Sequence, residues 1–172
     1  MRRLVLGLVL GMVILPLIFW LYFRLGLAPV ATAAAPMPFE KRLAHMALHA
    51  RIEREPSKDS PLKSSNDNLQ AGAHLYRENC AICHGLPGQA ESAISKGMYP
   101  RPPQLFKGHG VTDDPASETY WKVANGIRLT GMPGYVNSLS ENEMWQVSML
   151  LAEADKLPAE VHETLNQPAK VD

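Results

Sequence analysis

The chain has 172 residues, of which 46% are hydrophobic, and its 17 Lys and Arg residues balance its 17 Asp and Glu residues. The balance is uneven along the chain, because residues 1–68 carry a formal charge of +4 and residues 69–172 carry −4. Neither charge is large enough to indicate a nucleic-acid partner, so we expect none.

The N-terminal segment has the composition of a membrane-spanning helix. Residues 4–23 contain no charged side chain, and as a helix they would rise about 30 Å, which is enough to cross a bilayer. Because Arg2 and Arg3 precede this run, the positive-inside rule places the N-terminus in the cytoplasm. We expect residues 1–27 to be an uncleaved single-pass anchor in the lipid of the bacterial inner membrane, with the rest of the chain exported to the periplasm.

A cleaved signal peptide is the alternative, because the small residues at 31–35 offer cleavage sites. However, the apolar run is longer than the roughly 7–15 residues of a signal-peptide core, and residues 24–30 separate it from those sites. Both alternatives deliver the chain across the membrane.

Residues 28–68 are expected to connect the anchor to a folded domain. Residues 39–55 place apolar side chains at helical spacing among basic ones, which predicts an amphipathic helix. Residues 56–68 are rich in Ser, Pro, Lys, Asp and Asn, the composition of a polar linker with no core to bury. His45 and His49 stand four residues apart in the predicted helix, but no third ligand for a metal accompanies them.

The only two cysteines of the chain belong to a C-x-x-C-H motif at residues 80–84. This pattern predicts covalent attachment of one haem c, with Cys80 and Cys83 as the thioether tethers and His84 as an iron ligand. A zinc site would need about four ligands, and a thioredoxin-like redox pair would follow a strand, whereas residues 68–79 have a helical pattern. A disulfide between the two cysteines would close a very small loop and leave His84 unexplained.

The ligand on the other face of the iron decides between an electron carrier and a catalyst or gas binder. Met132 is preferred, because Gly131 and Gly134 permit close backbone approach and Pro133 stiffens the loop. The other candidates are Met98, Met144, Met149, His74 and His109.

The loop after the motif should complete the haem pocket. The second ring nitrogen of His84 needs a partner, and we expect a backbone carbonyl near Pro102 or Pro103 to provide it. Tyr99 and Arg101 are either contacts of the haem propionates or ordinary surface residues.

The remaining patterns predict an all-α domain over residues 69–157, followed by a C-terminal tail at 158–172. Besides the helix before the motif, a helix should begin with Asp114 as cap, and another should follow a capping box at Ser140. Gly72 predicts that the last helix crosses the first one closely, with Trp145 laid against that glycine.

Residues 69 to about 154 resemble class I single-haem c-type cytochromes. The resemblance rests on G-x-x-x-Y before CAICHG, on Pro102-Pro103-x-Leu105, on a helix ending in NGI, on the GMPGY loop and on the Trp-bearing last helix. The chain is most similar to membrane-anchored members and to the haem-c subunits of haem–copper oxidases. This resemblance implies a cytochrome c fold with three main helices around the haem, thioethers at Cys80 and Cys83, and His84 and Met132 as axial ligands.

From these features we expect a membrane-tethered periplasmic electron carrier rather than an enzyme, with one haem cycling between Fe(III) and Fe(II). Its redox partners would be a quinol-oxidising complex, a dehydrogenase or a terminal oxidase. A permanent haem-c subunit of a larger respiratory complex or oxidase is the alternative. A haem sensor or peroxidase is the third, and it would require Met132 to be absent from the iron or displaceable.

Overall fold

The computed structural model describes residues 1–55, 58–107 and 114–167, and within these ranges every regular element is a helix. The predicted all-α class is therefore confirmed. The helices are α1 (Arg2–Arg24), α2 (Glu40–Glu53), α3 (Asn66–Asn79), α4 (Ala81–His84), α5 (Ala93–Gly97), α6 (Ala116–Asn125), α7 (Glu141–Ala152) and α8 (Ala159–Asn166). The chain divides into two compact units, Met1–Ala44 and His45–Asp172.

The first unit is dominated by α1. This helix is long and apolar enough to cross a membrane, contains Pro16, and has no buried residue. The α2 helix, which begins in this unit, also buries none of its residues. At its start the Glu40 carboxylate accepts a hydrogen bond from the Met37 amide at 2.8 Å, which satisfies an N–H group that has no partner within the helix.

The core of the second unit forms where α3 crosses α7. Leu69, Ala73 and Tyr76 of α3 are buried, and a Cβ added to Gly72 would lie 2.4 Å from the carbonyl oxygen of Gln146. The predicted capping box is present at the start of α7, where Ser140 and Glu143 bond each other's backbone amides. The glycine thus permits the close helix crossing that its position predicted.

Two details of the helix packing differ from the sequence expectation. The atoms nearest to Gly72 belong to Gln146 and Leu150, while Trp145 stacks on Tyr120 of α6 with ring centroids 4.3 Å apart. The cap of α6 is Pro115 rather than Asp114. Asp114 instead accepts a hydrogen bond from the Lys122 ammonium at 2.9 Å.

The C-terminal segment folds back onto the domain. The sequence analysis assigned residues 158–172 to a tail, but α8 lies within them and buries Val161, Thr164 and Leu165. Arg77 of α3 donates hydrogen bonds to the carbonyls of Thr164 and Gln167. These contacts attach α8 to α3.

The polar linker also differs from its prediction as a segment with nothing to bury. Leu62 packs against the hydrophobic core, and the Ser60 hydroxyl lies 3.8 Å from the sulfur of Met149. The Lys58 ammonium is 5.6 Å from the centroid of the Tyr120 ring, a cation–π distance. The end of the linker is therefore part of the folded domain.

We predict that Gly72→Ala lowers the free energy of unfolding by about 1–3 kcal/mol, because overpacking against a backbone carbonyl outweighs the gain in helix propensity. Denaturant unfolding of the haem-loaded protein measures this change. Gly97→Ala in α5 is the matched control, since a Cβ there has nothing within 4 Å. Equal effects of the two substitutions would contradict the close crossing.

Candidate functional site: a covalent haem centre

The C-x-x-C-H motif folds as one helical turn directly after α3. Cys80 ends α3 and caps α4, and its carbonyl accepts hydrogen bonds from the amides of Cys83 at 3.1 Å and His84 at 2.9 Å. Residues three apart in a helix lie on the same side, so the turn places both half-buried cysteines along one face. The two cysteines do not form a disulfide with each other.

The electrostatics of the Cys80 thiol do not suit a nucleophilic redox pair. Burial, reinforced by the neighbouring Cys83 sulfur, raises the pKa of the Cys80 thiol to about 12. Reactive cysteines have lowered pKa values and lie in electropositive surroundings. The helix before the motif, where a thioredoxin-like site would have a strand, also disagrees with that alternative.

His84 is oriented by a backbone carbonyl. Its Nδ1 lies 2.8 Å from the carbonyl oxygen of Pro103, one of the two positions at which the sequence analysis expected this bond. A carbonyl can only accept, so Nδ1 carries the proton and the Nε2 lone pair is available to a metal. Burial lowers the pKa of His84, against the opposing effect of the Pro103 bond, and this favours the neutral imidazole that binds iron.

The turn ends at Gly85, where three parts of the chain meet. Gly85 has φ +73°, its carbonyl accepts a hydrogen bond from the Tyr76 hydroxyl at 2.8 Å, and an added Cβ would lie 2.1 Å from Oε1 of Gln104. The Gln104 amide donates to the carbonyl of Cys83 at 3.3 Å. The side chain of Gln104 thus covers the C-terminal end of the motif.

The neighbouring short helix α5 supports the same turn. Its cap, Ser92, donates a hydrogen bond to the carbonyl of Ile82 at 2.6 Å and accepts one from the Ser95 amide at 3.0 Å. Sequence reasoning missed the roles of Ser92 and Gln104, because single polar residues in a loop carry no periodic pattern. The one signal in the sequence was the position of Gln104 directly after Pro102 and Pro103, which could have indicated the role of Gln104.

The loop that carries Met132 is held by the end of α6. The amides of Tyr135 and Val136 donate to the carbonyls of Val123 at 2.9 Å and Ala124 at 3.3 Å. The Met132 carbonyl accepts from the amide of Ile127 at 3.2 Å. The loop is also joined to the end of α3, because the Tyr135 hydroxyl donates to the Asn79 carbonyl at 2.9 Å.

The other candidate ligands occupy different environments. Met144 and Met149 are core residues of α7, and His74 is exposed on α3. His109 lies outside the described residues. Met98 is half-buried, and its side chain reaches Gly131, next to Met132.

Three of the four predicted haem-pocket contacts, Tyr99, Arg101 and Pro103, lie at the surface. Arg101 is exposed and its guanidinium is 3.8 Å from the Glu91 carboxylate, while Tyr99 and Pro103 are exposed and Pro102 is half-buried. On α2, the rings of His45 and His49 are 6.3 Å apart. Among the described residues no group of three or more metal-binding His, Cys, Asp or Glu side chains occurs.

The site therefore has the donor set of a covalently held haem. Two thiols lie along one face of a helical turn, the adjacent imidazole has one nitrogen fixed and the other available, and a thioether lies in a loop joined to the end of α3. Hydrogen bonds within the protein hold the backbone of the motif turn, the His84 ring and the backbone of the Met132 loop.

Comparison with known proteins agrees with this description. Residues 67–149 match the family model described as cytochrome C oxidase, cbb3-type, subunit III. Quinohemoprotein alcohol dehydrogenase ADH IIB of Pseudomonas putida is 28% identical over 102 residues, which cover 58% of this chain and 13% of that protein. The cytochrome c subunit of alcohol dehydrogenase (quinone) from Gluconobacter oxydans is 34% identical over 85 residues, which cover 45% of this chain and 16% of that protein.

A solved structure, the reducing HAO-like protein complex of Kuenenia stuttgartiensis, is 24% identical with a TM-score of 0.49, over 58% of this chain and 50% of the other. The chain spans less than a fifth of the length of the two dehydrogenase relatives, which match it over 13% and 16% of their own sequences.

We predict that Gly85→Ala destabilises the haem-loaded protein by about 1–3 kcal/mol from backbone strain at positive φ, with a further loss from the collision with Gln104. Gly88→Ala is the control, because Gly88 has φ +69° but nothing within 4 Å of an added Cβ. Denaturant unfolding should show the larger loss for Gly85→Ala, and adding Gln104→Ala should reduce the difference. If Gly85→Ala costs no more than Gly88→Ala, Gln104 does not cover the motif.

Proposed function

Residues 67–149 form a c-type cytochrome domain with covalent haem c, and from this premise we propose that the chain is a membrane-tethered electron carrier that exchanges single electrons with respiratory redox proteins. The observation that carries the proposal is the joint geometry of the motif turn and the Met132 loop. Both are held by protein hydrogen bonds that do not depend on the oxidation state of an iron.

In this proposal Cys80 and Cys83 would hold the haem through thioethers, and Nε2 of His84 and the sulfur of Met132 would bind its iron. The haem supplies the reversible one-electron couple. The Pro103 carbonyl keeps the His84 ring oriented and raises its basicity as a ligand. Sulfur ligation by Met132 favours the reduced iron and raises the reduction potential above that of a bis-histidine site.

Three features of the Met132 loop support its role as ligand carrier. Backbone bonds fix the loop to the end of α6, and the Tyr135 hydroxyl joins it to the end of α3. The amide of Met132 itself donates to the Thr130 hydroxyl at 3.1 Å. A ligand held in this way reorganises little when an electron arrives or leaves.

The helix α1 supports a permanent membrane tether. Its 23 residues are helical from Arg2 to Arg24, a length of about 35 Å, and the described structure fits a single-pass anchor or a signal sequence. We propose the uncleaved anchor in the bacterial inner membrane, with the haem domain in the periplasm. A tethered domain meets membrane-bound donors and acceptors at a raised effective concentration.

A permanent subunit of a larger oxidoreductase is the second candidate function. Two comparisons favour it. The matched family is described as a subunit of an oxidase, and the Gluconobacter relative is named as a subunit of a quinone alcohol dehydrogenase. The exposed helix α2, with no buried residue, would then contact another subunit. Stable co-purification with such a complex after mild detergent extraction would favour this candidate over a free carrier.

We predict that Met132→Ala abolishes the far-red methionine–iron absorption band and lets the reduced haem bind carbon monoxide, because the sixth position of the iron opens. Met132→His should restore a six-coordinate, low-spin haem with a lower reduction potential. The measurements are absorption spectra of both oxidation states and carbon monoxide titration of the reduced, full-length protein.

Met46→Ala is the control for these variants, because Met46 is exposed on α2 and its loss should leave the spectra unchanged. If the Met132→Ala protein retains the far-red band, another residue is the ligand. If the wild-type protein binds carbon monoxide readily, the sensor or peroxidase alternative replaces the carrier.

We predict that the mature protein retains residues 1–27. Intact-mass analysis of the membrane fraction should give a chain that begins at the first residues, and an alkaline wash should not release it, because a spanning helix stays in the bilayer. A mature chain that begins between about residues 32 and 36, next to the small residues expected at a cleavage site, would contradict the anchor.

A further inference from the structure

The segment around Met132 packs closely against the end of α6. A Cβ added to Gly126 would lie 2.6 Å from the carbonyl carbon of Pro133, and one added to Gly134 would lie 2.8 Å from the backbone of Asn125. These are contacts between backbones, which cannot move aside as a flexible side chain can. At Gly131 the segment has a different neighbour.

At Gly131 the neighbour is the side chain of Met98. A Cβ added to Gly131 would lie 1.9 Å from the terminal methyl carbon of Met98 and 3.6 Å from its sulfur, with no other described residue beyond the adjoining ones within 4 Å. The methyl group therefore lies directly against the Gly131 backbone, in the space that a side chain would otherwise fill. The sulfur lies farther away.

Met98 belongs to the same segment as Pro103, whose carbonyl bonds His84. It follows α5 directly, after the fully buried Ser95, whose hydroxyl lies 3.5 Å from the Gln104 amide nitrogen. Gln104 in turn bonds the carbonyl of Cys83. Residues 95–104 thus contact the C-x-x-C-H turn through Pro103 and Gln104, and they contact the Met132 loop through Met98.

We propose that Met98 is a positioning residue for Met132: its thioether methyl packs against the Gly131 backbone, next to Met132, and holds the ligand sulfur toward the iron, without binding the metal. The proposal rests on ligation by Met132, as described under the proposed function. Its requirement is for a side chain of the size and shape of methionine, because the contact with Gly131 is made by a methyl group. Met98 therefore acts by packing and not through its sulfur.

The test compares Met98→Ala, Met98→Leu and Gly131→Ala in the haem-loaded, full-length protein, with Met46→Ala as the control. In Met98→Ala the far-red band should weaken, and the apparent carbon monoxide dissociation constant should fall by about tenfold, which corresponds to a loss of roughly 1.4 kcal/mol of Met132 ligation. Met98→Leu conserves the volume, so both quantities should stay within about twofold of the wild type.

Gly131→Ala should resemble Met98→Ala, because the new Cβ displaces the Met98 methyl. The double variant Gly131→Ala with Met98→Ala should recover part of the band, since the methyl group introduced at position 131 then occupies the vacated space. Non-additivity of this kind is expected only for residues in contact. Additive losses in the double variant would overturn the proposal.

The outcomes separate this proposal from the proposed function. If Met132→Ala abolishes the band while Met98→Ala leaves the band and the carbon monoxide affinity unchanged, Met132 is the ligand and Met98 has no positioning role. If Met98→Ala and Met98→Leu both abolish the band and Met132→Ala retains it, Met98 is the ligand, so both the positioning role of Met98 and ligation by Met132 are wrong.

Discussion

The geometry of the site depends on the reversal of the chain at Gly85. At this residue the helix before the motif, the motif turn and the loop after it are joined by the Tyr76 hydroxyl on one side and the Gln104 side chain on the other. Tyr76 is fully buried, and its burial raises the pKa of its hydroxyl, so it remains a neutral donor. Because an unpaired buried hydroxyl would cost about 1–3 kcal/mol, this bond strongly favours one position for the Gly85 carbonyl.

The second constraint is the crossing of α3 and α7, which gives the motif a rigid base. Seven of the twelve residues of α7 are buried, so this helix is the centre of the core rather than an amphipathic covering. The linker before α3 and the helix α8 after α7 both pack onto this pair. Both ends of the domain are therefore packed against the two helices. Because α3 is fixed in this way, the position of Cys80 at its C-terminal end is fixed as well.

Much of this arrangement could be predicted from local patterns. The apolar run of α1 and the capping box at Ser140 each follow from a few neighbouring residues. The carbonyl partner of His84 lies 19 residues away and follows instead from the requirement that a ligating imidazole has its second nitrogen held. The contacts that escaped prediction join distant parts of the chain: Leu62 to the core, Trp145 to Tyr120, and α8 to α3. Polar composition suggested a linker and a tail there, since a single buried leucine or valine in a polar segment carries too weak a pattern.

Residues 92–107 contact both His84 and the loop that carries Met132. His84 takes its orientation from Pro103, and Gly131 packs against Met98, so one segment contacts both His84 and the neighbour of Met132, and His84 and Met132 are the two proposed axial ligands. A displacement of this segment would change both the basicity of the His84 imidazole and the position of the Met132 sulfur relative to the iron. Both changes alter the reduction potential of the haem. A partner that docks on this segment would therefore shift the reduction potential as well as provide a route for electron transfer.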